Sequence, residues 1–277
     1  MAIKFSKYHG CGNDFICVDA RRLSMDWVAV AKQWCRRRFS VGADGLVLLE
    51  SSNVADIKMT IINADGTIPE MCGNGLRCLA VFAIHQQIVT TLEFSVETLA
   101  GILTVQLIED NQNQYRVSVS MGQAKVQLDL PTKDFALDLS LISHDINIEG
   151  QDYTVIPVSM GNPHVVVFVP DVQAIDLPIV GAFLENHEWF PNQANIEFVS
   201  VQSKNQITMR VWERGVGETL ACGTGACAAV VAGVVSGQLA QSVSVTLLGG
   251  QLDICVNRKD LCVTMVGPAS FVFESEI

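Results

Sequence analysis

The chain has 277 residues, 49% hydrophobic and 17% charged, so its length allows two domains of ordinary size with substantial apolar cores. Its net charge at pH 7 is −11, and because no basic face offsets this acidity, nucleic acid is not an expected partner. The most apolar stretch, Gly225 to Gly237, is 13 residues long. That is too short to cross a bilayer, so no membrane association is expected.

The predicted strands are apolar or alternating stretches of strand length, separated by turn residues. In the first half they cover Asp14–Asp19, Leu46–Glu50, Ile57–Asn63, Leu92–Thr98, Ile102–Ile108 and Tyr115–Ser120. In the second half they cover Tyr153–Ser159, Val165–Val169, Ile196–Val201, Ile207–Trp212, Val243–Leu248, Gln251–Val256 and Leu261–Val266. A last strand over Ser270–Phe273 has no counterpart in the second half, so we expect it to return to the first domain.

Each half also contains one apolar helix rich in small residues, predicted over Leu76–His85 and Ala226–Val235. A further helix over Asp26–Arg38 would end in three arginines, where positive charge complements the helix dipole. Many strands with one prominent helix per half predict an α+β fold, in which a curled, mainly antiparallel sheet surrounds a central helix. The junction is expected near Met121 to Pro131. The predicted domains are residues 1–121, joined by 267–277, and residues 122–266.

Two cysteines occupy near-identical settings 150 residues apart (222 − 72). Cys72 precedes Gly73-Asn74-Gly75, Cys222 precedes Gly223-Thr224-Gly225, and each leads into its apolar helix. A thiol at a helix N-terminus meets unpaired N–H groups and the positive end of the dipole. The expectation is therefore that the pKa of each thiol falls from about 8.5 toward neutrality.

Three further segments recur in the same order at nearly the same offset, which predicts two pseudo-symmetric domains. The matched pairs are Gly12-Asn13-Asp14 with Gly161-Asn162-Pro163, Ala43-Asp44 with Ala194-Asn195, and Ile62-Asn63-Ala64-Asp65-Gly66 with Val211-Trp212-Glu213-Arg214-Gly215. Two matched thiols on two matched domains indicate one acid and one base that act on a common substrate.

The chemistry that these residues favour is inversion of a carbon next to a carboxylate. Removing that proton requires a cofactor, a metal or a set of preorganised donors, because negative charge builds up where one already exists. Glycine-rich helix starts supply backbone N–H donors for a carboxylate. One thiolate would take the proton while the other thiol delivers one to the opposite face. Arg214 offers a planar fork for a carboxylate and Glu213 an acceptor for an ammonium group, whereas His164 suits a structural role as well as a site role.

Neither a metal nor an organic cofactor is expected. The closely spaced Cys and His pairs of a zinc site are missing, and so are the G-x-x-x-x-G-K-[ST] phosphate loop and a complete G-x-G-x-x-G motif. The cysteine count of nine is odd and Met1 to Phe5 has no apolar leader, so reduced thiols and a cytoplasmic location are expected.

With these segments in place, the chain resembles the diaminopimelate epimerase family over essentially its whole length. The segments that carry the resemblance are His9 to Phe15, Asn63 to Gly66, Met71 to Cys78, Ser159 to His164, Ala194 to Ile196, Glu213 to Thr219 and Ala221 to Ala226. The resemblance implies two similar domains, each a barrel-like sheet around a central helix, with the site between them. It also implies cofactor-free interconversion of LL- and meso-2,6-diaminopimelate, a step of lysine and peptidoglycan precursor synthesis, by a homodimer.

The family's functional residues map onto this sequence one by one. The catalytic thiols correspond to Cys72 and Cys222, and the residues thought to tune their pKa values correspond to His164 and Glu213. The substrate contacts correspond to Asn13, Asn63, Gly73, Asn74, Asn162, Asn195, Glu213, Arg214, Gly223 and Thr224. Two positions depart from the family pattern: Gly45 stands where some members have Gln, and Phe273 stands where some have a Tyr associated with dimerisation.

Two alternatives stay open at this point. One is another isomerase on the same scaffold, such as a proline or hydroxyproline racemase, against which Glu213 and Arg214 argue because they need a second charged end on the substrate. The other is an amino-acid-binding protein without catalysis, against which the presence of both thiols argues. A substrate panel separates the two isomerases, and deuterium uptake at Cα separates an enzyme from a binding protein.

Overall fold

A computed structural model describes residues 2–111, 113–126, 143–148 and 150–277. The chain forms two compact units, Met1–Ser120 with Val266–Ile277, and Met121–Met265. Part of the predicted junction, residues 127–131, lies outside the described residues. No helix within the described ranges is both long and apolar enough to cross a membrane.

In chain order, the strands of the described ranges are β1 (Lys4–Gly10), β2 (Asn13–Asp19), β3 (Gly45–Glu50), β4 (Ile57–Asn63), β5 (Glu93–Thr98), β6 (Gly101–Asn111), β7 (Gln114–Gln123), β8 (His144–Ile148), β9 (Gln151–Ser159), β10 (Pro163–Phe168), β11 (Asn195–Ser203), β12 (Gln206–Glu213), β13 (Gly217–Thr219), β14 (Ser242–Leu247), β15 (Gly250–Val256) and β16 (Cys262–Glu276). The helices are α1 (Trp27–Trp34), α2 (Gly73–His85), α3 (Leu177–Glu185) and α4 (Gly223–Val235).

The first unit is a barrel. Strands β1 to β7 follow one another in the sheet, and β16 pairs with both β7 and β1, which closes an eight-stranded ring. Most neighbours are antiparallel, while β2–β3 and β4–β5 are parallel. Helix α2 packs against β1, β2, β3, β4 and β6, and its residues from Gly73 to Ala83 are all buried.

The second unit repeats this plan with the strand order β15-β14-β12-β11-β10-β9-β8, and β13 adds to β12. The parallel pairs here are β10–β11 and β12–β14. Helix α4 packs against β9, β10, β11 and β15, and Gly223 to Val234 are all buried. Its small Gly, Ala and Val side chains let the strands approach on every side. The predicted fold class, two mainly antiparallel curled sheets each around a central helix, is confirmed.

Several predicted boundaries are wrong for identifiable reasons. Helix α1 ends at Trp34, not at Arg38, because Arg37 turns back to form ion pairs with Asp14 and Asp44, and Arg38 has a left-handed φ of +70°. The two strands predicted near the C-terminus are one strand, β16. The sequence patterns do not predict β1, β8, β13 or α3.

Candidate active site

Cys72 is the N-cap residue of α2. Its extended backbone (φ −144°, ψ 105°) directs Sγ toward the unpaired N–H groups of the helix start, and the Gly75 N–H donates to it at 3.4 Å. Sγ lies 3.8 Å from Asn13 Oδ1. The structure therefore brings together three of the residues expected at the site, Cys72, Asn13 and, through the helix start, Gly73.

The amide groups beside Cys72 are oriented by ions. Arg77, which is fully buried, donates to Asn74 Oδ1 at 2.8 Å, so Asn74 Nδ2 is the atom that donates to Asn13 Oδ1 at 3.2 Å. The Asn13 Nδ2 in turn donates to Asp44 Oδ2 at 2.8 Å. The guanidinium of Arg77 and the carboxylate of Asp44 thus fix the orientation of the Asn74 and Asn13 side-chain amides. Sequence reasoning did not assign a site role to Arg77 or Asp44.

Asp14 anchors the start of β2 next to Asn13. It forms ion pairs with Lys7 (2.6 Å) and Arg37 (2.5 Å). Burial acts to raise its pKa, but hydrogen bonds from Arg37 and Lys7 outweigh that effect and hold the pKa of Asp14 at about 2. The ionised carboxylate therefore holds the Asn13 segment in place at all ordinary pH values.

Asn63 and Gly45, two further positions of the first unit, lie at the end of β4 and at the start of β3. Asn63 ends β4 and donates from Nδ2 to Thr67 Oγ1 at 2.9 Å, within the turn that follows. A Cβ at Gly45 would lie 3.0 Å from the Ile62 carbonyl oxygen and 3.4 Å from the Phe15 ring. The absence of a side chain at Gly45 thus matches a tightly packed position.

In the second unit Cys222 is the N-cap residue of α4 and is 7% exposed. Burial raises the pKa of its thiol well above the ordinary value, and the carboxylates of Glu213 and Glu197 raise it further, while Thr224 and the Gly225 N–H act in the opposite direction. The expectation of a lowered pKa at this helix start is therefore wrong for Cys222, because desolvation and two carboxylates outweigh the helix terminus.

A hydrogen-bonded relay runs from Cys222 into the interior. The Thr224 hydroxyl lies 3.5 Å from Cys222 Sγ, and Asn162 Nδ2 donates to that hydroxyl at 3.4 Å. Asn162 Oδ1 is 3.0 Å from His164 Nε2, and His164 Nδ1 is 2.7 Å from Glu197 Oε1. His164 and Glu197 are both buried. The expected residues Thr224, Asn162 and His164 are thus joined by hydrogen bonds. Glu197, which sequence reasoning missed, is the last residue of this relay.

The two charged residues singled out from the sequence lie at the end of β12 (Glu213) and in the loop that follows it (Arg214). Glu213 accepts a hydrogen bond from Thr219 Oγ1 at 2.5 Å. The Arg214 N–H donates to Asn195 Oδ1 at 3.0 Å, and Asn195 Nδ2 donates to the Pro163 carbonyl at 3.0 Å. Asn195 therefore ties the Arg214 loop to the loop that carries Asn162.

A buried carboxylate missed by the sequence supports the same loop. Glu185, at the end of α3, accepts from the Gly215 N–H and from the Trp212 Nε1–H, both at 2.7 Å. Gly181 lets α3 approach, because a Cβ there would lie 2.8 Å from the Trp212 ring. The signal that would have found α3 is Asp176 before Leu177-Pro178, since Asp at the N-cap followed by Pro in the first turn is a helix start.

Comparison with known proteins adds the family. The family model described as diaminopimelate epimerase matches residues 5–127 and 156–272. A protein named diaminopimelate epimerase 1 from Nostoc sp. (strain PCC 7120) is 44% identical over all of both chains. A diaminopimelate epimerase of Halothermothrix orenii is 41% identical over 100% of this chain and 98% of its own.

Solved structures agree at the level of the fold. A hydroxyproline epimerase from Agrobacterium vitis superposes with a TM-score of 0.73 at 13% identity, over 100% of this chain and 92% of that one. A PhzF-family phenazine biosynthesis protein from Bacillus anthracis gives 0.72 at 20% identity, over 100% and 99%. These two likenesses show the fold alone. The family model and the relatives at 41% and 44% identity decide the family: the chain belongs to the diaminopimelate epimerase family.

Proposed function

We propose that this protein interconverts LL- and meso-2,6-diaminopimelate with Cys72 and Cys222 as the two catalytic residues. The observation that carries the proposal is the pair of cysteines at equivalent helix N-caps, 150 residues apart, each at the head of its own hydrogen-bond chain. Thiols are suited to this work because their ordinary pKa lies near neutral pH, so both protonation states are within reach.

The two thiols carry different surroundings, which supports an assignment of roles. Cys222 is held protonated by burial and by the carboxylates of Glu213 and Glu197. On the Cys72 side the Gly75 N–H donates to Sγ at 3.4 Å, and the buried cation Arg77 lies just over one turn into the helix. We therefore assign the resting thiol to Cys222, the proton donor, and the resting base to Cys72.

The proposed step moves one proton at each face of Cα. The Cys72 thiolate takes the proton from Cα, and the electron pair of the broken C–H bond is delocalised into the substrate carboxylate. Cys222 gives its S–H proton to the other face of the same carbon, which leaves a Cys222 thiolate and a Cys72 thiol. In the reverse direction the roles exchange. Backbone N–H groups of Gly73 and Gly223 would stabilise the transient enediolate, as oxyanion-hole donors do.

The remaining residues are proposed to recognise the substrate. Six polar side chains are proposed to contact the substrate: Asn13, Asn63, Asn74, Asn162, Asn195 and Thr224. Arg214 would hold the distal carboxylate with its planar guanidinium, and Glu213 would accept an ammonium group. His164 and Glu213 are proposed to tune the thiols. No cofactor enters any step. We further propose a cytoplasmic homodimer as the working form.

A substrate panel tests the proposal. Purified enzyme is incubated with LL-diaminopimelate, proline or trans-4-hydroxyproline in D₂O, and chirality and Cα deuterium are followed by chiral chromatography and mass spectrometry. We expect meso-diaminopimelate with solvent deuterium at one Cα, and negligible turnover of the two imino acids. Efficient racemisation of proline with inert diaminopimelate would establish the alternative racemase, and binding without deuterium uptake would establish a binding protein.

A further inference from the structure

The buried Glu197 has no counterpart in the other half of the molecule. A Cβ at Gly225 would meet Glu197 Oε1 at 2.5 Å, and at the repeat-related Gly75 the corresponding strand β3 offers Val47 Cγ2 at 3.5 Å. The offset is 150 for both positions (225 − 75 and 197 − 47). The carboxylate therefore occupies a place beneath the catalytic helix that the first unit fills with an apolar side chain.

His164 differs from its counterpart in the same way. His164 pairs with Asn195 across β10 and β11, as Phe15 pairs with Gly45 across β2 and β3. The counterpart of Asn195 in the fold is therefore Gly45, not Asp44 as the sequence repeat predicted. Phe15 is 2% exposed and His164 is 1% exposed, so both sides are sealed from water. A histidine and a carboxylate in the second unit replace a phenylalanine and a valine in the first. Burying such polar groups is costly unless they are hydrogen-bonded, as His164 and Glu197 are to each other.

The hydrogen bonds fix where the protons of the pair lie. Asn162 gives its Nδ2 hydrogen to Thr224, so its Oδ1 must accept from His164 Nε2, and that nitrogen carries a hydrogen. His164 Nδ1 then shares one proton with Glu197 Oε1 across 2.7 Å. Glu197 Oε2 is buried and has no hydrogen-bond partner among the described residues, so the carboxylate's contact with His164 is its anchor.

We propose that Glu197 is a positioning residue for Cys222: it fixes the His164 ring with a hydrogen on Nε2, and through Asn162 and Thr224 it holds the Cys222 sulfur in the place where protons are exchanged with the substrate. Thr224 suits this task because its hydroxyl can accept from the thiol or donate to the thiolate. The inference rests on the proposed function, since it explains how that function's second thiol is held.

Kinetics of matched variants test the relay. Glu197→Val installs the residue that the first unit has at this place. We expect kcat to fall about tenfold to a hundredfold, the loss that a misplaced catalytic group causes, with KM within about twofold. Because the effect runs through His164, the losses in Glu197→Val and His164→Gln should not multiply in the double variant. The exposed Glu188→Gln is the control. Unchanged kcat in Glu197→Val, or independent losses in the double variant, would overturn the inference.

A second measurement needs neither substrate nor a stable valine variant. Glu197→Gln keeps the shape, and its amide N–H can donate to His164 Nδ1, so His164 Nε2 should carry its hydrogen in this variant as in the wild type. Two-bond ¹H–¹⁵N NMR of histidine-labelled protein reads this directly, with His164→Gln to assign the signal. A His164 Nε2 without a hydrogen in the wild type would overturn the inference. Failure of wild-type enzyme on LL-diaminopimelate would refute the proposed function alone.

Discussion

Removing the Glu185 carboxylate is expected to destabilise the second unit strongly. Its two oxygens accept from the Gly215 N–H and the Trp212 indole N–H at 2.7 Å each, and the residue is 7% exposed. Hydrogen bonds to a charged group contribute roughly 1.5–3 kcal/mol each, and Glu185→Ala leaves both donors without a partner. A carboxylate at the C-terminus of α3 also opposes the helix dipole, so these two bonds are the reason for its position.

The predicted loss is about 3–5 kcal/mol in the free energy of unfolding. At roughly 2–4 °C per kcal/mol for a unit of this size, Tm should fall by about 6–20 °C. Calorimetry measures this directly. Glu185→Gln should recover less than half of the loss, because its NH₂ group would meet one of the two donors. KM should rise, since the loop carries Arg214. A Tm within about 2 °C of wild type would refute the reasoning, and Glu188→Gln, an exposed carboxylate nearby in sequence, should stay within about 0.5 kcal/mol.

Three other perturbations have defined outcomes. Gly225→Ala would place a Cβ 2.5 Å from Glu197 Oε1. The free energy of unfolding should therefore fall by about 1–3 kcal/mol, and kcat should fall with it. A Tm and a kcat equal to those of the wild type would show that the start of α4 can move to make room. Arg214→Lys should lower kcat/KM about tenfold or more, because a point charge replaces a planar fork, and steady-state kinetics on diaminopimelate decide it. The folded pKa of Asp14 is about 2, below its unfolded value, so the Asp14 carboxylate stabilises the fold above pH 4. About 2 kcal/mol of the free energy of unfolding should be lost as the pH falls from about 4 to 2. Urea midpoints measured across this range should fall less for Asp14→Asn than for the wild type.

The sequence predicts the two repeated halves of the fold but not the buried polar contacts inside them. Alternation and apolar runs predict most strands, and two Cys-Gly caps at one offset predict the two central helices. Strand β1 was not predicted because a lysine is normally an exposed residue, whereas Lys7 is only 6% exposed and forms an ion pair with Asp14. Tertiary contacts of this kind, between residues distant in sequence, override the local pattern.

The same limit applies to the site. A cap position alone predicts a lowered thiol pKa, yet at Cys222 burial and then the carboxylates of Glu213 and Glu197 raise the pKa, and this burial arises only when the chain folds. Glu197 lies between Ile196 and Phe198 in a strand with six buried residues at its start. A single charged residue inside such an apolar run is the signal that was available, since a buried carboxylate needs a partner.

The most direct test of the two-thiol account is the turnover of LL-diaminopimelate in D₂O by Cys72→Ala and Cys222→Ala beside the wild type. General acid–base groups contribute about 10²–10⁴ in rate, so each variant should lose at least about a hundredfold in kcat while its circular dichroism stays unchanged. Wild-type enzyme should place one solvent deuterium at the inverted Cα. Turnover within tenfold of wild type in either variant, or inversion without solvent deuterium, would contradict the account.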